Sequence, residues 1–384
     1  MKKLKNNNLK KNKGKKIIIM LVLTILFVGV VSIIGLYLGN EGFRVWADKN
    51  ILGKDIEEDK LPIIDLTSTD NTKIYAYGSY VLTLENNNLS IYNRSAKKIK
   101  DLNVTISNPI FESDGDYLLI ADEGSSKAYL IYNDSIQWEK DIDGEIARTT
   151  VNRNGETGII VVGTTYKSVI IMYDNSGKEK FKTFLSTTSA TDIALSEDGK
   201  YLGFIEINTL GATISSKVKN ISVEKAVSTP NESIINTYEA NSDILYMKIR
   251  YKNNIIVVLG DDGVYSLNNG KTEKIVNIDN NISFIDVDLD GYVASIIEES
   301  NKFELKLTNI ENKKDNTYLI NETVKKIYCN DNITAIDAGS KVEFVNSNAW
   351  LVKKFNSSQN IKDIIIGKNV AVIVYKDRAE VIGI

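Results

Sequence analysis

Asp286, Asp288 and Asp290 alternate along one short segment that runs into Gly291. This D-x-D-x-D-G spacing is that of a loop wrapping a hard cation, so the three are candidate calcium ligands. The twelfth position of such a loop is Ile297 here, not Glu, and the flanks read as strands. The alternative is a strand entering a hairpin. Lys248 and Arg250 alternate with Leu245, Met247 and Ile249, a spacing that would point both cations one way, toward an anion in a channel. Cys329 is the only cysteine, so no intramolecular disulfide forms. With no His or C-x-x-C partner to activate it, it reads as a small core residue. The chain has no His, which excludes Ser-His-Asp and Cys-His nucleophiles, His-ligated zinc or haem, and a His-based pH switch. Fifty acidic residues allow many glycosidase-like carboxylate pairs, but no spacing singles one out. No catalytic residue, no cofactor and no enzyme is expected.

Two very unequal parts must position these residues. Residues 1–16 carry eight lysines and no acid; removing them leaves 39 basic against 50 acidic residues, a balance of −11. Ile17–Leu38 follows, twenty-two residues without a charge. As a helix it is about 33 Å long, enough for a hydrocarbon core of about 30 Å. A signal peptide is the rival reading. The apolar stretch exceeds a signal's usual length, and Val45-Trp46-Ala47, the weak cleavage-like site, ends nine residues beyond it. The segment therefore reads as an uncleaved anchor spanning the plasma membrane. The basic flank stays in the cytoplasm, residues 39–60 form a juxtamembrane linker, and residues 61–384 lie outside. Trp46 reads as an interfacial anchor. The lysine tail suits anionic lipid; with no aromatic interleaved, nucleic acid is not an expected partner.

The outer part repeats. Turns fall near Gly78, Gly115, Gly155, Gly199, Asn253, Gly291, Asp331 and Gly367, at spacings of 37, 40, 44, 54, 38, 40 and 36. Asp114-Gly115, Asn154-Gly155, Asp198-Gly199 and Asp290-Gly291 have hairpin chemistry. Second strands such as Tyr117–Ala121 and Val370–Tyr375 are nearly all apolar. Fourth strands such as Lys178–Lys182 are broken by charge, as edges are. Apolar inside and polar outside is the gradient of a propeller blade. The chain ends after a third strand, and Leu61–Leu66 can supply the missing fourth. The fold class is all-β: an eight-bladed β-propeller, seven blades being the fallback, closed by strand 61–66 and preceded by one transmembrane helix. Ser216–Val227 is the only amphipathic contender for a helix, and its β-branched residues and Pro230 argue against one.

Ser113-Asp114-Gly115-Asp116-Tyr117-Leu118 and Ser196-Glu197-Asp198-Gly199-Lys200-Tyr201-Leu202 resemble the turns of WD40-like and TolB-like repeats. Tyr173-Asp174-Asn175-Ser176-Gly177-Lys178 resembles a quinoprotein-type propeller turn, without the Asp and metal pattern of quinone catalysis. The lysine tail, the span, Glu41-Gly42-Phe43-Arg44-Val45-Trp46 and Leu61-Pro62-Ile63-Ile64-Asp65-Leu66 together are similar to a family of membrane-anchored propeller-like proteins of low-GC Gram-positive bacteria, a domain of unknown function. The resemblance implies topology and fold, and no activity.

The expected role is protein binding or scaffolding at the cell envelope, with another envelope protein as partner. The alternatives are a sensor of a ligand or wall fragment in the channel, and a carbohydrate-active enzyme. The surplus of the fourth unit, Leu210–Ser233, is a candidate partner-binding surface.

Overall fold

Left-handed backbone falls at seven of the eight places where the repeat puts its turns, Gly367 being the exception. Gly115 has φ +62° and Gly291 φ +72°, values that L side chains rarely adopt, so glycine at these hairpin corners has a conformational reason. The computed structural model describes residues 2–54, 61–66, 72–241, 243–357 and 359–384, with backbone alone for 2–19 and 41. The chain divides into two units, Met1–Glu58 and Asp59–Ile384.

The first unit is helical. A helix runs over Lys2–Gly39 and a second over Glu41–Asn50. Asn40 separates them: its extended backbone breaks the first helix, and its side chain accepts the Phe43 amide at 2.9 Å to start the second. Met20–Gly39 is long and apolar enough to cross a membrane, with mean hydropathy 2.7. The expected tail and linker thus both contain helix, which their polar compositions did not signal.

The second unit is a propeller. Among the described residues, thirty-two strands form eight four-stranded antiparallel sheets, so the eight-blade count holds and the seven-blade fallback does not. The first strands of blades 1 to 8 are Lys73–Tyr77, Pro109–Asp114, Glu145–Val151, Ser189–Leu195, Tyr246–Lys252, Ile282–Asp286, Lys326–Asn330 and Asp363–Ile366. Each blade continues outward in chain order. In blade 8 the fourth place is taken by Ile63–Asp65, paired with Arg378–Gly383 through Ile63↔Glu380, Ile64↔Ala379 and Asp65↔Arg378. The N-terminal strand closes the ring, as the sequence predicts.

The apolar gradient explains the packing. Every residue of Val370–Val374 is buried, whereas Lys271–Asn277 on the rim of blade 5 is mostly exposed. The core lies between blades. One cluster joins Leu119 and Leu130 of blade 2 to Ile159 and Val161 of blade 3. Another joins Ile64, Val372 and Val381 of blade 8 to Ala76 and Val81 of blade 1, sealing the closure. Burying a side chain such as Ile64 contributes about 1.5–3 kcal/mol. Blade 4 takes up its surplus as longer strands, Tyr201–Asn208 and Ser215–Ser222, followed by a helical turn, Val223–Ser228, capped by Ser222. The amphipathic stretch is therefore strand first and helix after.

Candidate functional site

All eight first strands contribute to one cavity of about 940 Å³ along the propeller axis. A first strand ends at its hairpin corner, so its last residues form one mouth of this channel. Among the described residues, eight acidic and five basic side chains line it, an excess of three acidic groups.

The charges form ladders between adjacent blades. Lys248 Nζ lies 3.1 Å from Asp286 Oδ1 and 2.5 Å from Asp288 Oδ2. Arg250 Nε donates to Asp288 Oδ1 at 2.7 Å, and its Nη1 is 3.8 Å from Asp192 Oδ2. At the mouth, Lys252 Nζ reaches Asp290 Oδ2 at 2.9 Å and Glu197 Oε1 at 3.3 Å. Arg153 continues the rim, with Nη1 3.2 Å from Glu197 Oε2 and Nε 3.9 Å from Asp114 Oδ2. The rim thus alternates in sign from blade 2 to blade 6.

Burial in the channel acts against charge, and pairing decides which groups keep it. Burial opposes a charge on Asp288, yet Arg250 and Lys248 outweigh it and hold the carboxyl below its ordinary range. Among the described residues Asp286 pairs with Lys248 alone; burial and the Asp288 charge push it up. Burial also opposes the Arg250 charge, but Asp288, Glu112 and Asp192 bind its proton more tightly than usual. Glu112 is the exception. Among the described residues it makes no ion pair and no side-chain hydrogen bond. Burial raises it to about 7, opposed by Arg250 and reinforced by the charges of Asp288 and Asp192. Asp114 and Asp331 at the mouth are raised by burial as well.

The structure brings together two sets that the sequence presents separately. Asp286, Asp288 and Asp290 face Lys248, Arg250 and Lys252 of the preceding blade. Among the described residues, no three His, Cys, Asp or Glu side chains gather to hold a metal. Arg250 lines the channel as expected, and Lys248 reaches the lining residues Asp286 and Asp288, but carboxylates neutralise both, so the surplus of acidic side chains favours cations over anions. Cys329 borders the channel besides packing on the core; its Sγ lies 3.5 Å from Thr334 Oγ1, and burial pushes the thiol up. Trp138 is buried in the core between blades 2 and 3, and Trp46 is 52% exposed. Leu210 and Ile214 lie exposed on the blade 4 loop. Glu112 and the ladder escaped notice in the sequence, yet a signal was there. Lys248–Asp286, Arg250–Asp288 and Lys252–Asp290 are each separated by the same distance as the turns at Asn253 and Gly291. Opposite charges one repeat apart occupy equivalent places on neighbouring blades.

The chain belongs to the family described as "Family of unknown function (DUF5711)", whose profile matches residues 59–384. No curated protein matches it. Among solved structures, it is similar to the C-terminal WD40 domain of Sif2, at 12% identity and TM-score 0.53, over 85% of this chain and 99% of that one. It is also similar to Chaetomium thermophilum Sqt1 bound to the N-terminus of ribosomal protein L10, at 12% identity and TM-score 0.52, over 85% of this chain and 100% of that one. BamB from Moraxella catarrhalis matches at 11% identity and TM-score 0.48, over 84% of this chain and 100% of that one. At such identities the likeness is one of fold.

Proposed function

We propose that the chain is a single-pass membrane protein whose propeller, outside the plasma membrane, binds a protein partner of the cell envelope. The apolar helix Met20–Gly39, the lysines before it and the exposed Trp46 after it support a span with its N-terminus in the cytoplasm. The binding role rests on one observation: the channel carries three more acidic than basic side chains. Arg153, Arg250, Lys252 and Lys326 each already face a carboxylate, whereas among the described residues no cation lies at pairing distance from Glu112. The complement is a cationic group, which a basic segment or N-terminal amine of a partner would supply. Sqt1, of the same fold, is bound to the N-terminus of another protein, so a propeller can take up such a segment. Binding needs no catalytic group, and the reading is of a binding module, not an enzyme.

Photo-crosslinking in intact cells tests this. A photoreactive residue replacing Lys368, exposed at the channel mouth, should yield one discrete protein adduct that Glu112→Lys removes. The same residue replacing Leu319, on an outer strand, should not. No adduct at 368, or equal adducts at both places, would reject the reading. A second reading, a sensor of a small organic cation, is favoured by the place of Glu112 inside the channel, where a folded partner's surface does not reach. Spermidine binding without any protein adduct would select it. A stoichiometric hydrolytic activity in the purified chain would displace both.

A further inference from the structure

Beside the channel mouth, four hairpin corners of blades 2 and 3 enclose a second cleft, of about 410 Å³, which shares Gly115 and Arg153 with the channel. We propose that this cleft is a saccharide subsite, in which Tyr132 stacks on the face of a pyranose ring while Asp116, Asn154 and Asn175 hydrogen-bond its hydroxyls. The assignment does not depend on what the channel binds.

The aromatic platform is built. Tyr117 and Tyr132 sit opposite each other in adjacent strands, their rings 4.6 Å apart and tilted by 35°. Behind Tyr117 the chain turns at Gly155, φ +77°, so close that a Cβ there would lie 2.5 Å from the ring. Tyr117 is thereby fixed, and Tyr132, resting on it, stays 38% exposed. The fold does not require this pair. The corresponding positions are Thr157 and Tyr173 in blade 3, Tyr201 and Ser222 in blade 4, and Tyr292 and Asn309 in blade 6.

The polar groups around the ring are available and preset. Among the described residues, the side chains of Asp116 and Asn175 make no hydrogen bond, and Asn154 spends only Nδ2, on the Glu197 carbonyl at 3.2 Å. The corners holding them are locked from within. Asp174 Oδ1 accepts the Ser176 and Lys178 amides, each at 2.9 Å. Asn152 Oδ1 accepts those of Asn154 at 3.1 Å and Glu156 at 3.0 Å. Little order is left to impose on binding. A pyranose offers a flat C–H face and a rim of hydroxyls that both donate and accept, which amides and a carboxylate match. Asp116 disfavours an anion, and Arg153 is already engaged by Glu197. Hairpin corners offer no free strand edge for an extended peptide.

The test is saturation-transfer NMR on the full-length chain, in a detergent without a sugar headgroup, with chitotetraose and cellotetraose as probes. Saturable transfer from at least one probe is expected. Tyr132→Ala should weaken binding by about threefold to tenfold, the range of one lost aromatic contact, and Tyr132→Phe should restore it. Asn175→Ala removes a side chain that no corner depends on, so its loss of binding would report recognition and not folding. Absence of transfer from both sugars, transfer unchanged by Tyr132→Ala and Asn175→Ala, or preferential binding of a decaproline peptide would overturn the proposal.

Discussion

Glu112→Gln is the most informative single substitution, because it removes one proton site from the channel and almost no volume. Burial raises the carboxyl from 4.5 to about 7 in the folded chain. The folded state therefore holds the proton more tightly than the unfolded one. The stability that this lends is fully present below about pH 4.5 and is lost as pH rises through about 7. At about 1.36 kcal/mol per pH unit, the full effect is roughly 3 kcal/mol. The carboxyl borders an open channel, so solvent screening lowers the expectation to about 1–3 kcal/mol. The Asp114, Asp192, Asp286 and Asp331 carboxyls are raised as well and slope the same way. Only the difference between variant and wild type isolates Glu112. Urea unfolding of the full-length chain in detergent, followed by tryptophan fluorescence, should give matching stabilities at pH 4.5. At pH 8 the variant should be the more stable by that margin. Parallel pH profiles, or a variant weaker than wild type at pH 8, would refute the account of a half-buried carboxylate without a cation at pairing distance.

The remaining expectations concern the ladder, the closure and the topology. Arg250→Met leaves Asp288 with Lys248 alone and Asp192 with no close cation; urea unfolding at pH 7 should show a loss of about 2–3 kcal/mol, held below the cost of a fully buried pair by partial exposure. Ile64→Ala opens a cavity in the cluster that seals blade 8 to blade 1; a loss of about 2–4 kcal/mol and faster proteolysis near residues 377–384 are expected, and a loss under about 1 kcal/mol would mean that the strand adds little to closure. In intact cells, a membrane-impermeant maleimide should label Leu319→Cys and spare Lys13→Cys. The reverse pattern would invert the topology, and the unsubstituted chain supplies the background from half-buried Cys329, which borders the channel.

The blade count was readable because it rests on local chemistry. A corner with positive φ admits Gly or Asn cheaply, as at Gly115, Gly291 and Asn253, so the turns stand out in the chain and their period with them. The closure was readable for a different reason: a last unit one strand short leaves an edge, and Leu61–Leu66 was the apolar segment without a partner. The helices at Glu41–Asn50 and Val223–Ser228 were not readable. They are short, and each begins at a side-chain cap, Asn40 or Ser222, whose effect depends on where the preceding element ends.

Sequence alone determined that this chain has one segment apolar enough to span a bilayer, a repeating all-β body and no histidine chemistry, since composition, period and turn residues are properties of neighbours along the chain. What faces the channel was decided only by the tertiary structure. Asp288 read as a candidate calcium ligand until the ring placed Arg250 and Lys248 beside it, and Glu112 had no distinguishing mark until the fold placed it in the channel with no cation at pairing distance among the described residues. A charge takes its meaning from what surrounds it at a few ångströms, and here those surroundings arrive from the next blade, some forty residues away.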